Sequence, residues 1–301
     1  MKLNRWFLSL LILATACAAT LPPTTPPLAT PQVDSISLAD SQPVPDSTNG
    51  TTLYISATMH IESAPDSWPQ DTETFLTFLQ QTTDAGIRWS IGGDIGWLTG
   101  DPRAQEIVTR SAAMGVQWDV HGHKDSDRGR IASTLASWGV TPTGVISGML
   151  ISEYNRIPRF YLSQGYRWTP TIVWGGTKCA GHKPGCDDSS IGIYRPKNSA
   201  QFTVHSATGK LIRVAGGDHQ LATAENLATR ISSGEVAAPV IGFTIMVEPE
   251  TLQVVNSEDG LDEILAFFAR MDGVEFVRWG TISETAQAWV QAGSAPVLIN
   301  P

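Results

Sequence analysis

From Thr51 onward, short β-branched runs alternate with amphipathic stretches of helical period, and this alternation constrains the chain more than any other feature. It argues for a parallel sheet wrapped by helices. Strands are predicted over residues 53–59, 88–91, 116–120, 144–147, 169–174, 211–215, 240–247 and 275–278. The helical stretches carry their own boundary signals. Residues 71–85 place Phe75, Leu76, Phe78 and Leu79 on one face before Gly86; residues 102–114 start on Pro102 and stop at Gly115; residues 261–271 end before Gly273. About eight such alternations suggest an α/β fold, a distorted (β/α) barrel of seven or eight units spanning residues 51–301.

The segment before that domain reads as targeting and tether. Lys2 and Arg5 precede an apolar run from Trp6 that is too short for the roughly 20 residues of a spanning helix. Ala14, Thr15 and Ala16 then lead into Cys17. This order resembles a bacterial lipobox, although Ala14 stands where Leu is usual, so residues 1–17 are expected to be a signal peptide with Cys17 as the acylated site. The alternative is a cleaved secretory signal whose cysteine is incidental. Residues 18–50 hold seven prolines among Thr, Ser, Ala and Asp and are expected to form a disordered, semi-extended tether. The expected location is extracytoplasmic, anchored to the cell envelope through lipid on Cys17.

Apart from Cys17, the chain has Cys179 and Cys186, a pair for which a disulfide is the default in an oxidising compartment. A metal site using His182 between them competes only weakly, because three ligands in a Gly/Pro loop make a poor zinc signature. The formal charge is −9 and no basic stripe stands out, which argues against nucleic acid as a partner.

In a barrel of this kind, chemistry gathers at the C-terminal ends of the strands. Those ends are polar here: His60 and Glu62 after the first strand, Asp94 after the second, His121 and His123 after the third, Asp218 and His219 after the sixth, and Glu248 after the seventh. Residues i and i+2 of an extended segment point the same way, so His60 with Glu62, and His121 with His123, can each converge on one point. Imidazole and carboxylate together suit a divalent ion, zinc first, with manganese or iron less favoured. The metal shell is therefore assigned to His60, Glu62, His121 and His123. Asp94, Asp218, His219 and Glu248 are candidates for base, acid and orienting roles. His182 and His205 are read as structural or loop residues.

At these residues the chain resembles the polysaccharide deacetylase superfamily, carbohydrate esterase family 4, over most of residues 53–290. The likeness lies in the opening strand from Tyr54 to His60, the segment from Asp84 to Gly92, the run from Ala113 to His123 and the close from Gly273 to Glu284. It implies a distorted (β/α) barrel and metal-dependent removal of acetyl groups from an acetylated envelope glycan. His60 and Glu62 stand where that family opens with an Asp-Asp pair. Its spaced histidine pair maps onto His123 and Asp127, which leaves two ligand registers, His121 with His123 or His123 with Asp127. Ser147, Gly148 and Met149 occupy the place of the family's arginine and proline, and Glu248 that of its late histidine. Two other readings stay open, a glycan-binding lipoprotein without catalysis and a barrel metallohydrolase acting on phosphoester or cyclic amide bonds. Trp97, Trp118, Trp168, Trp174 and Trp279 offer faces for sugar stacking, although a tryptophan in a barrel is more often core than platform. The loop over residues 175–196, pinned by the disulfide, is expected to form a cleft wall or lid.

Overall fold

The computed structural model describes residues 50–62, 72–179, 185–215, 221–249, 252 and 261–300. The first half comprises β1 (Thr52–Ile61), α1 (Thr72–Asp84), β2 (Trp89–Gly93), α2 (Ile95–Gly100), α3 (Ala104–Ala113), β3 (Gln117–His121), α4 (Asp125–Ser137) and β4 (Val145–Ser147). A 3-10 turn at Ile151–Arg156 leads to β5 (Tyr161–Ser163), β6 (Tyr166–Trp168), β7 (Ile172–Trp174), β8 (Ile191–Tyr194), β9 (Pro196–Asn198), β10 (Gln201–His205) and β11 (Ile212–Val214). The chain closes with α5 (Leu221–Ser232), β12 (Val240–Met246), α6 (Leu261–Asp272), β13 (Val277–Trp279), α7 (Ile282–Gln291) and β14 (Val297–Ile299).

The fold is mixed α/β, and its main sheet is barrel-like and nearly closed. The strand order is β12, β1, β2, β3, β4, β7, β11, β8, β14, with β13 also pairing β1. All pairings from β12 to β11 are parallel. The strand β8 then runs antiparallel to both β11 and β14. Strands far apart in this order come back together, because a Cβ placed at Gly242 of β12 would lie 3.4 Å from the Gly192 carbonyl of β8. All eight predicted strands form. The region 175–196 is not wholly a loop, since β8 within it extends the sheet.

Alternation along β1 decides what faces the barrel interior. Leu53, Ile55, Ala57, Met59 and Ile61 join one apolar cluster with Phe75, Leu76 and Leu79 of α1. The other face is polar: Ser56 lies 3.3 Å from Thr285 of α7, Thr58 donates to the Ile245 carbonyl at 2.8 Å, and His60 meets Trp174 of β7. Apolar positions three and four apart bury the inner faces of α1 and α3, and Gly86 and Gly115, at φ +92° and +97°, end the turns that follow. The disulfide is present, joining Cys179 and Cys186 with their Cα atoms 5.5 Å apart. Among the described residues, no helix is long and apolar enough to cross a membrane.

The expected signal, Cys17, the tether up to Asn49, His182, Asp218 and His219 lie outside the described residues. The sugar-stacking expectation for tryptophan is corrected. Trp97, Trp118, Trp168 and Trp174 are buried, and Trp279 is half-buried against Phe267 and Phe268. Trp97 stacks on Trp118, whose indole donates to Ser111 of α3 at 3.1 Å, so these rings fasten helix to sheet.

Candidate metal centre

The parallel strands β1, β2, β3, β4 and β7 end side by side, and their last residues build the site. His60 and His121 are still within their strands, and the backbone beyond each carries Glu62 and His123 to the same point. Glu62 Oε1 lies 3.1 Å from His121 Nε2 and 2.9 Å from His123 Nε2, and the two imidazole nitrogens are 3.2 Å apart. His60 stacks on His121 with ring centroids 3.7 Å apart, and ligand atoms of His60, Glu62 and His121 fall within 4.8 Å of one another. His60, Glu62 and His121 thus form one group, and His123 adjoins it through Glu62 and His121.

This group can hold a metal ion. Bonds of about 2.0–2.2 Å to a shared divalent ion put neighbouring ligand atoms roughly 3.3 Å apart, close to the separations seen here. Burial is graded across the group. His121 is 0% exposed while the Glu62 and His123 side chains are 36% and 38% exposed, so the cluster is closed toward the barrel and open toward solvent. Hydrogen bonds from both imidazoles hold the Glu62 carboxyl well below the usual carboxylate range. Burial pushes His121 down, toward the neutral ring that a ligand must be, whereas the Glu62 carboxylate pulls His123 up.

Small residues make room for the buried imidazole. A Cβ at Gly92 would come 2.6 Å from the His121 Cβ, and one at Gly148, at φ +72°, would lie 3.0 Å from His121 Cε1. Ser147 at the end of β4 is 1% exposed, and its Oγ sits 3.0 Å from His121 Nδ1. With an ion bound, Nδ1–H would donate to that oxygen and leave the Nε2 lone pair for the metal. Sequence reasoning noticed Ser147 only as a departure from a family pattern; its role comes from pairing β4 beside β3, with Ser147 opposite His121. Ser147→Ala is expected to weaken divalent metal binding by about 10- to 100-fold with an unchanged melting temperature, measured by competition against a chromophoric chelator.

The remaining candidates fall differently. Asp94 caps α2, its Oδ1 accepting from the Trp97 amide at 2.6 Å, and its charge partly opposes the downward shift of His121 and adds to the upward shift of His123. Glu248 is exposed just past β12, at the His60 end of β1, where the Val247 amide still donates to the Thr58 carbonyl. Asp127 lies in the first turn of α4 and pairs with Arg130 at 3.6 Å, so His121, not Asp127, is the partner that His123 finds here. Arg128 was not anticipated. It is fully buried and binds Glu153 at 2.7 Å, Asp125 at 2.6 Å and the Gly122 carbonyl at 3.4 Å, which fixes the loop that presents His123. No family model matches the chain, and no curated protein matches it.

Proposed function

We propose that this chain is a divalent-metal-dependent hydrolase of the cell envelope, with a deacetylase-like (β/α) barrel, that removes acetyl groups from an acetylated glycan. The observation that carries the reading is the meeting of Glu62, His121 and His123 within 3.2 Å at the C-terminal strand ends. The resemblance in residues 53–290 supplies the reaction class, and the Cys179–Cys186 disulfide suits an oxidising compartment. Lipid on Cys17 and a tether over residues 18–50 would hold the barrel at the envelope surface.

His60, Glu62, His121 and His123 would hold the ion, zinc first. A bound divalent ion would supply Lewis acidity toward a carbonyl oxygen and a lowered pKa for water. The chain's own groups do the rest. Glu62 stays anionic and His121 neutral, so both present lone pairs to a cation at pH 7. Asp94, Asp218, His219 and Glu248 are the candidates to take a proton from water and return one to the leaving atom.

The test is metal content and acetate release in one preparation. Protein stripped by chelation and reloaded with zinc is expected to hold close to one ion and to release acetate from N-acetylated or O-acetylated glycan only when loaded. Metal without acetate release would shift the weight to a metallohydrolase of phosphoester or cyclic amide bonds. No metal under any condition would leave a barrel that binds glycan without cutting it.

A further inference from the structure

The chain's overall acidity hides one basic segment. Residues 154–213 carry nine Lys and Arg against two Asp, in a chain of formal charge −9. One of those acids is removed from the surface, because Asp188 is buried against the buried Arg213 at 2.8 Å. Arg156, Arg159, Arg167, Lys197 and Lys210 are all exposed, and none forms an ion pair with a carboxylate among the described residues.

These cations belong to one surface. Lys210 Nζ donates to the Asn155 and Ile157 carbonyls at 2.9 and 3.2 Å, which seats it beside Arg156. Asn155 also bonds the Ser199 side chain and amide, bringing the turn after β9, and with it Lys197, to the same place. Arg167 lies with its guanidinium 3.8 Å over the Phe160 ring, next to Arg159. The β5–β6 hairpin sets Leu162 opposite Arg167 on its outer face, with Leu162 and Phe160 exposed, while Trp168 is buried.

The surface adjoins the metal centre through Arg128, which contacts Glu153 of the 3-10 turn, Tyr161 of β5 and the Gly122 carbonyl beside His123. Carboxylates at that junction are already committed. Asp125 accepts from Arg128 and Tyr161, Glu153 from Arg128, and Asp127 pairs with Arg130. These cations thus face outward with no carboxylate among the described residues paired to them.

We propose that this surface binds an acidic glycan, one carrying a carboxylate on its repeating unit, and serves as an extended subsite of the centre at His121 and His123. The proposal rests on the glycan reading of that centre. Guanidinium forks match carboxylates bidentately, and the exposed Phe160 and Leu162 offer apolar contact to sugar C–H groups between them.

The test is calorimetric binding of oligogalacturonate and of neutral chitohexaose to the full-length protein, metal-stripped and zinc-loaded. Oligogalacturonate is expected to bind in both states with an affinity that falls as salt is added. Arg156→Ser/Arg159→Ser/Arg167→Ser is expected to lower that affinity at least about tenfold with no change for chitohexaose. Arg156→Glu/Lys197→Glu, at two exposed positions, is expected to do the same and guards against a folding defect in the first variant. Unchanged oligogalacturonate affinity in both variants would overturn the proposal. So would arginine-dependent binding of single-stranded DNA or anionic vesicles as tight as that of the glycan. Protein that takes up no metal yet binds the acidic oligomer through these arginines defeats the hydrolase reading and keeps this one; acetate release without arginine-dependent binding does the reverse.

Discussion

His121→Ala/His123→Ala is expected to retain no divalent metal after chelation and reloading, against close to one ion for the unchanged chain. Zinc held by three or four protein ligands binds with about 10–16 kcal/mol, so losing two imidazoles should cost more than about a thousandfold in affinity. The remaining ligands cannot compensate. With both imidazoles gone only His60 and Glu62 of the cluster are left, two ligand groups where a zinc site takes three or four. The single variant His123→Ala separates metal binding from folding. That side chain is 38% exposed, so its loss should leave the melting temperature unchanged and still reduce metal affinity steeply. His121, fully buried and stacked under His60, should affect both. Metal content in the double variant equal to that of the unchanged chain would place the ion elsewhere and end the assignment.

Much of this site was legible because its geometry is local. A spacing of i and i+2 on an extended backbone dictates that His60 and Glu62 share a side, as do His121 and His123, and parallel strands bring their ends into register. The strands were legible because β-branched runs buried on both faces have few alternatives. The helix α4 was not, since Asp125, Ser126, Asp127, Arg128, Gly129 and Arg130 show no apolar stripe, and its buried face includes Arg128 itself. Nor was α2, a six-residue helix whose clearest signal is the Asp94 cap. Ser147 touches His121 across 26 residues of sequence, and Trp97, Trp118, Trp168 and Trp174 bury their rings against neighbours set by the fold. Contacts of that range depend on which strands pair, and no local spacing encodes them.

Arg128→Met is the second large effect, and it reaches the metal centre through packing. Arg128 is fully buried, and its partner Glu153 has a side chain only 13% exposed, so removing the guanidinium strands a mostly buried carboxylate. Breaking such a pair from one side costs about 3–5 kcal/mol, equivalent to a fall in melting temperature on the order of 10 °C for a domain of this size. Asp125 adds less, because its side chain is 52% exposed and water can take over its solvation. Arg128→Met/Glu153→Met removes both buried charges and is expected to recover a large part of the lost stability. It should not recover the metal. The Gly122 carbonyl and Tyr161 hydroxyl still lose their common partner, and the loop carrying His123 loses its anchor on α4. Restored melting with metal affinity still weakened therefore identifies Arg128 as what positions His123; affinity restored together with stability would reduce Arg128 to a packing role.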